Sequence, residues 1–179
     1  MEISTWEWTR ISGLTSFFLL FLSILIGLLQ SSPLIHPKWR GSKNLFHQLT
    51  GWVGFLLMIF HGVILIYDHY VSYQWYEIFV PFTSDEHRIL TGIGTLSLYG
   101  VFLILLSSDM MKKVGYSIWK KIHLFSLPAY LLVLLHGFFI GSDTSTEAIP
   151  LMYAGTTLLL TGAYLAKRVS GKGKTKTAH

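Results

Sequence analysis

The chain has 179 residues, of which 51% are hydrophobic, 15% are aromatic and only 13% are charged. Its mean hydropathy is +0.51, and this balance predicts an integral membrane protein with a single helical domain, residues 1–179. The absence of cysteine excludes disulfides, cysteine-ligated iron–sulfur clusters, thiolate catalysis and covalently attached c-type haem. The formal net charge of +5 lies in loops and in a short tail beside the membrane, so we expect no nucleic-acid partner.

Five segments contain no Asp, Glu, Lys or Arg over about 18–23 residues, the length needed to cross a hydrocarbon core of about 30 Å. They cover residues 11–30, 45–67, 89–108, 122–140 and 149–166. We therefore predict an all-α bundle of five transmembrane helices, with a basic tail at 167–179. The first segment has no basic n-region, since the chain begins with acidic Glu2 and Glu7, and basic residues follow it instead. We therefore expect a retained helix and not a signal peptide.

The connections between these segments alternate in the sign of their charge. The first and third connections are basic and the second and fourth are acidic; the residues are Lys38, Arg40 and Lys43, then Asp68, Glu77, Asp85 and Glu86, then Lys112, Lys113, Lys120 and Lys121, then Asp143 and Glu147. The positive-inside rule then predicts a multi-pass protein of the cell membrane with its N-terminus outside and its C-terminus in the cytoplasm. In this orientation the second and fourth helices run parallel.

Four histidines lie inside these apolar segments, His47 and His61 on the second and His123 and His136 on the fourth. An ionisable residue inside a bilayer is costly and therefore marks a functional site. The spacings of 14 and 13 residues correspond to about 20 Å of helix, so one ion cannot join both members of a pair. Each histidine needs a partner at the same depth on the other helix, which pairs His47 with His123 and His61 with His136.

Two axial imidazoles per metal suit the iron of a b-type haem, because the porphyrin fills the other four positions. The pattern therefore predicts two stacked haems and a cytochrome b that carries electrons across the membrane. Glycines at 51, 54, 62, 92, 94 and 137 leave space for a flat macrocycle, or alternatively allow close helix packing. The haem carboxylates require cations or hydrogen-bond donors; the candidates are Arg40, Lys43, Trp119, Lys120 and Lys121 at the cytoplasmic end and Arg10 and Arg88 at the outer end.

The phase of the fourth helix conflicts with this pairing. Fourteen residues at about 100° each return His61 to the face of His47, whereas thirteen residues leave His136 about 140° away from His123. Pro128 lies between the latter two. We expect a kink or a π-type irregularity there that brings both rings to one side.

Other functions stay open at this point. The histidines are alternatively helix–helix hydrogen-bond partners, or ligands of a haem or metal transporter; a zinc site is less favoured because the segments contain no carboxylate. Another alternative is a quinol-linked subunit that holds a single haem, with a quinone or flavin near the other pair.

The histidine spacing resembles that of the ferric reductase-like transmembrane domain family. That family includes the membrane part of NADPH oxidases and the small bacterial haem subunit of a periplasmic methionine sulfoxide reductase system. Further similar stretches are Thr9–Leu14, Val80–Ser84, Trp119–His123 and His136–Asp143. The resemblance implies that His47, His61, His123 and His136 ligate haem iron.

The chain departs from the oxidases of this family in two respects. It has five predicted helices instead of six, and its sequence shows no flavin or nicotinamide-binding domain. We therefore expect the electron donor to be a separate cytoplasmic flavoprotein or membrane quinol. The acceptors that the resemblance allows are ferric iron, an extracytoplasmic flavoprotein or reductase partner, and dioxygen.

Overall fold

The structure, a computed structural model, describes residues 4–30, 40–68, 72–141 and 146–176, with the side chains of Arg40 and of residues 170–176 left out. Its elements are the helices α1 (Thr5–Leu29), α2 (Arg40–Ile66), α3 (Trp75–Phe79), α4 (Arg88–Asp109), α5 (Met111–Val114), α6 (Tyr116–Leu124), α7 (Ser126–Ile140) and α8 (Ala148–Lys176). The described ranges contain no strand.

Within the described residues, five helical stretches are long and apolar enough to cross a membrane, which agrees with the predicted number. They are Thr5–Leu29, Gly41–Ile66, Arg88–Asp109, Tyr116–Ile140 and Ala148–Val169. Large apolar side chains remain exposed on their outer surfaces, and Leu151 and Leu158 on α8 are each 73% exposed. A bilayer would cover such surfaces, so the chain is a multi-pass membrane protein.

The helices extend beyond the uncharged segments. α1 begins at Thr5 because Ser4 and Glu7 form a capping box: the Glu7 N–H donates to Ser4 Oγ at 3.2 Å, and the Ser4 N–H donates to the Glu7 carboxylate at 2.8 Å. α8 continues to Lys176, through most of the stretch expected to be a tail. Charged residues ended the predicted segments, but a helix ends where its backbone hydrogen bonds end, so the predicted bounds were too short.

The fourth span is interrupted at Phe125, between α6 and α7. The Phe125 N–H donates to the Ile122 carbonyl at 3.0 Å, three residues back, in a tight turn. Pro128 has no N–H to donate to the Leu124 carbonyl, four residues before it, which explains why the α-helix breaks here. The irregularity therefore occurs where the proline predicted it, although as a tight turn and not a π-type bulge. It places His123 on α6 and His136 on α7, so the phase of one continuous helix no longer applies.

α1 lies along α2, and α4 lies along α7, in the two most extensive helix contacts of the bundle. Between them an aromatic core centres on Phe17, whose ring lies 4.7 Å from that of Tyr153 and 5.4 Å from that of Tyr130. Tyr130 Oη donates to Thr156 Oγ1 at 3.0 Å and so joins α7 to α8. This core lies between two cavities, since Phe17 lines one of them, Tyr130 lines the other and Val133 lines both.

Candidate functional site

The four intramembrane histidines meet in two pairs. The rings of His47 on α2 and His123 on α6 have centres 6.0 Å apart, with planes inclined by 71°. The rings of His61 on α2 and His136 on α7 have centres 6.2 Å apart, with planes inclined by 86°. These are the pairs that matching depth predicted. All four side chains are partly exposed, since each borders a cavity.

Three of the histidines are oriented by backbone carbonyls of neighbouring helices. The Nδ1 atoms of His47, His61 and His136 lie 2.7, 2.9 and 2.8 Å from the carbonyl oxygens of Ser23, Thr9 and Leu90, respectively. A carbonyl oxygen only accepts, so Nδ1 carries the proton and donates in each case. The neutral ring then keeps the lone pair of Nε2 for a metal, and the hydrogen bond at Nδ1 holds the ring in place.

His123 reaches a side chain instead of a carbonyl. Its Nδ1 lies 3.4 Å from the hydroxyl oxygen of Ser108 on α4, which also accepts a hydrogen bond from Trp119 Nε1 at 3.1 Å. The Trp119 ring stacks on the His123 ring, with centres 5.0 Å apart and planes inclined by 28°. Trp119, a predicted donor for a haem carboxylate, thus contacts both His123 and its hydrogen-bond partner.

Glycines leave room for three of the imidazole rings. A Cβ atom added at Gly13, Gly27 or Gly94 would lie 3.0, 3.2 or 2.7 Å from the rings of His61, His47 and His136, respectively. Sequence reasoning had singled out Gly94 but not Gly13 or Gly27, although their 14-residue spacing repeats that of His47 and His61. The other predicted glycines, at 51, 54, 62, 92 and 137, lie against side chains that include Leu105, Leu20, Ile78, Phe82 and Tyr153, as in close helix packing.

Each histidine pair borders a cavity, which we name after its α2 histidine. The His61 cavity has a volume of about 380 Å³, and the His47 cavity has a volume of about 880 Å³. Apolar surface dominates both, which suits a large flat macrocycle. The larger volume lies at the end of the bundle where α6 begins and where α8 carries its basic residues.

The structure brings some of the residues predicted to bind the haem carboxylates to these cavities. Arg10 lines the His61 cavity, and its guanidinium carbon lies 4.1 Å from the centre of the Trp6 ring. Arg88 is exposed at the start of α4 and does not line that cavity, although the adjacent His87 does. Trp119 and Lys120 line the His47 cavity, whereas Lys43 and Lys121 are not part of its lining. The side chain of Arg40, at the first residue of α2, lies outside the described residues.

Three further residues of the His47 cavity escaped sequence reasoning: Gln30, Lys167 and Arg168. The two basic residues had been assigned to a tail beyond the membrane, but the longer α8 carries them to the cavity. The Gln30 amide nitrogen, Nε2, is buried and has no hydrogen-bond acceptor among the described residues. A cavity lined by an amide donor without a partner and by two cations is suited to a carboxylate.

The residues present fit a haem at each pair. A metal–imidazole bond is about 2.0–2.1 Å long and the ring centre lies about 1 Å beyond the nitrogen, so two imidazoles on one metal place their centres roughly 6 Å apart. The observed separations agree with this value. Within the described ranges no three His, Asp or Glu side chains are grouped closely enough to hold a metal ion. Two imidazoles without a third protein ligand are the donor set that a porphyrin completes.

These observations define a multi-pass helical membrane protein with two pairs of facing intramembrane histidines. The family model described as ferric reductase like transmembrane component matches residues 12–134, which is more than half of the chain. The chain belongs to this family, which confirms the resemblance. Domains of this family are usually haem-binding, and membership suggests transmembrane electron transfer. The matched region contains His47, His61 and His123 and ends two residues before His136. Among curated proteins, none matches the chain.

Proposed function

We propose that this protein is a b-type cytochrome that carries electrons across the membrane through two bis-histidine haems. His47 and His123 would ligate one haem, and His61 and His136 the other. The observation that carries the proposal is the contact of Nδ1 of His47, His61 and His136 with a carbonyl oxygen on a neighbouring helix, which leaves Nε2 available to iron. A haem iron supplies the chemistry of the reaction, a reversible exchange of one electron between its ferrous and ferric states.

The chain's own residues would perform three tasks around these haems. The carbonyls of Thr9, Ser23 and Leu90 hold imidazoles in one orientation, so that little rearrangement accompanies a change in the charge of the metal. The Phe17–Tyr153–Tyr130 core separates the two cavities with packed apolar side chains. Gln30, Lys120, Lys167 and Arg168 at one cavity and Arg10 at the other would bind the haem carboxylates.

We place the His47 pair at the cytoplasmic side and the His61 pair at the outer side. Support comes from the distribution of charge: exposed Lys112, Lys113 and Lys120 lie near the His47 end, while Glu77, Asp85 and Glu86 lie at the His61 end, where Glu86 lines the cavity. The donor would be a separate flavoprotein or membrane quinol at the cytoplasmic side. The acceptor would be ferric iron, a reductase or flavoprotein partner, or dioxygen at the outer side.

Vesicles that contain the purified protein test this function directly. Ferricyanide is trapped inside them and dithionite, which crosses lipid slowly, is added outside. The wild-type protein should accelerate reduction of the trapped ferricyanide, and His61→Ala should remove that acceleration because the second haem is lost. His87→Asn is the matched control, since His87 lines the same cavity outside the pairs and asparagine tolerates its left-handed backbone conformation. A wild-type rate equal to that of protein-free vesicles would refute the proposed function.

A further inference from the structure

Three of the four histidine anchors follow one positional rule. The carbonyl that accepts from Nδ1 belongs to residue i of a neighbouring helix, and the glycine that leaves room for the ring is residue i+4 of that helix. The three sets are Thr9 and Gly13 for His61, Ser23 and Gly27 for His47, and Leu90 and Gly94 for His136.

Helix geometry explains this rule. Every Cα–Cβ bond of an α-helix tilts toward the N-terminus, so the side chain of residue i+4 lies over the carbonyl of residue i. Glycine at i+4 uncovers that carbonyl, which then accepts a second hydrogen bond besides the one within its helix. On α1 the two sets are 14 residues apart, which matches the 14-residue separation of His47 and His61 on α2.

The same 14-residue repeat, applied to α4, leads to Ser108. Adding 14 residues to Leu90 and Gly94 gives Ile104 and Ser108, at the level of His123. Here the position of the glycine is occupied by a serine whose hydroxyl donates to the Ile104 carbonyl at 2.9 Å. In the other three sets the histidine contacts a backbone carbonyl. At His123 the Ser108 hydroxyl covers the corresponding carbonyl and contacts the histidine in its place.

The hydrogen bonds of Ser108 determine what it offers to His123. A hydroxyl has one hydrogen to donate and two lone pairs to accept with. The hydrogen goes to the Ile104 carbonyl and one lone pair accepts from Trp119 Nε1, which leaves one lone pair for His123. His123 Nδ1 is then the protonated nitrogen, as in the other three histidines, and its Nε2 keeps the lone pair that a metal needs.

We propose that Ser108, with its hydroxyl oriented by Trp119, is the positioning residue of His123. It occupies the position that glycine occupies in the other three sets. This inference rests on the proposed function and deepens it. The His47 ring contacts both the carbonyl and the hydroxyl of Ser23, the latter at 3.1 Å, whereas His123 Nδ1 contacts the Ser108 hydroxyl. The anchor of His123 can therefore be removed by one substitution that leaves the helix backbone in place. A glycine at this position would instead uncover the Ile104 carbonyl on the side of His123. The Ser107 hydroxyl, the other side-chain donor to that carbonyl, rotates away when the arrangement of the other three sets forms.

The two substitutions Ser108→Ala and Ser108→Gly separate positioning from a structural role. Alanine leaves the Nδ1 hydrogen without an acceptor, and loss of such a partner typically weakens metal-site affinity by about 10–100-fold. We expect haem to leave the His47–His123 pair about 10–100 times faster in Ser108→Ala and near the wild-type rate in Ser108→Gly. If Ser108 only stabilised α4, the order would be reversed, because glycine is the poorer helix former.

The experiment follows haem transfer from the full-length haem-loaded protein to an excess of an apo-globin. The His61→Ala variant identifies the phase that belongs to the His47–His123 pair, and the other phase reports whether each variant is folded. Ser107→Ala is the matched control, because Ser107 is the adjacent serine of α4 and its hydroxyl donates to the same Ile104 carbonyl, at 2.9 Å, and not to a histidine. A redox titration gives a second readout: Ser108→Ala should raise the midpoint potential of this haem alone, since a ligand without its acceptor is less basic.

The outcomes distinguish this inference from the function on which it rests. A wild-type protein that binds no haem would overturn the proposed function. A wild-type protein with two haems, together with equal transfer rates for Ser108→Ala and Ser107→Ala, would overturn the role of Ser108 alone. Faster haem loss in Ser108→Gly than in Ser108→Ala would also overturn it, because that order indicates a structural role.

Discussion

A histidine ring offers two nitrogens with different roles, and at the residue scale this protein assigns them consistently. Nδ1 donates to a fixed acceptor on a neighbouring helix in His47, His61 and His136. A membrane histidine that only joins two helices needs one such bond, which satisfies its N–H. Joining two helices does not require the rings to face each other in pairs about 6 Å apart, as they do here. This arrangement favours the interpretation of these residues as ligands.

Gly94 gives a direct test of the space around one ligand. An alanine Cβ at this position would lie 2.7 Å from the His136 ring, so the ring must move, whereas at Gly100 on the same helix the nearest atom would be 3.8 Å away. We expect Gly94→Ala to lose the haem of the His61 pair and to be destabilised by about 1–3 kcal/mol. Gly100→Ala should keep both haems. Haem content and thermal unfolding measure the two effects, and equal behaviour of the variants would contradict the requirement for space.

The residues of the candidate site differed in how well the sequence predicted them. The four histidines were predictable because an ionisable side chain is conspicuous in an apolar segment. Their acceptors were not, since the carbonyls of Thr9, Ser23 and Leu90 belong to the backbone and no residue type marks them. Gln30 was missed because its significance lies in the absence of a hydrogen-bond partner, which only a packed structure reveals.

At the scale of elements, the bundle consists of two similar helix pairings. α1 supplies the two anchors for the histidines of α2, Thr9 and Ser23, which are 14 residues apart. α4 supplies those for the histidines of α6 and α7, Ser108 and Leu90, which are 18 residues apart because the hydroxyl replaces a carbonyl one turn earlier. The number of spans followed from hydropathy, and the break near Pro128 followed from the missing N–H. The start of α1 and the end of α8 did not follow from the pattern of charged residues. A capping box starts α1 before the uncharged segment, and α8 continues through charged residues to Lys176.

Glu77 fixes the segment that joins α2 to α4. Its carboxylate accepts from the backbone N–H groups of Gln74 at 2.7 Å and Asp85 at 3.0 Å, and its side chain is only 7% exposed. The Gln74 N–H, followed by the Asp85 N–H and the Ser84 side chain, lowers the pKa of Glu77 although burial alone would raise it. A carboxyl whose pKa is depressed in the folded state stabilises it above the unfolded value of about 4.3, and this stabilisation is lost as the pH falls through the folded-state pKa.

We therefore expect Glu77→Gln to lower the stability at pH 7 by about 1–2 kcal/mol, as is typical for the loss of hydrogen bonds to a charged group. Acidification below about pH 4 should then reduce the difference in free energy of unfolding between Glu77→Gln and the wild-type protein. Asp85→Asn is the control, because it removes a neighbouring charge but keeps the backbone N–H that Glu77 accepts from. Thermal unfolding across this pH range measures the effect. A difference that is constant with pH would contradict the role of the ionised carboxylate.

At the scale of the whole molecule, charge distribution determines which pair faces which side of the membrane. The absence of cysteine in the chain permits a clean test with single introduced cysteines at exposed positions. In intact cells a membrane-impermeant maleimide should label Asp85→Cys but not Lys113→Cys, since the latter would lie in the cytoplasm. Both should be labelled after the membrane is permeabilised. The opposite pattern in intact cells would reverse the proposed orientation and with it the direction of electron transfer.

The central claim is that each facing histidine pair holds one haem, and the most direct measurement is the haem-to-protein ratio of the purified protein with its oxidised and dithionite-reduced visible spectra. We expect two b-type haems per chain with bis-histidine spectra in the wild-type protein, and one haem per chain in His61→Ala or His136→Ala. A colourless protein from cells with adequate haem supply, or two haems retained in either variant, would contradict the claim. A single haem in the wild-type protein would leave one histidine pair without the ligand role proposed for it.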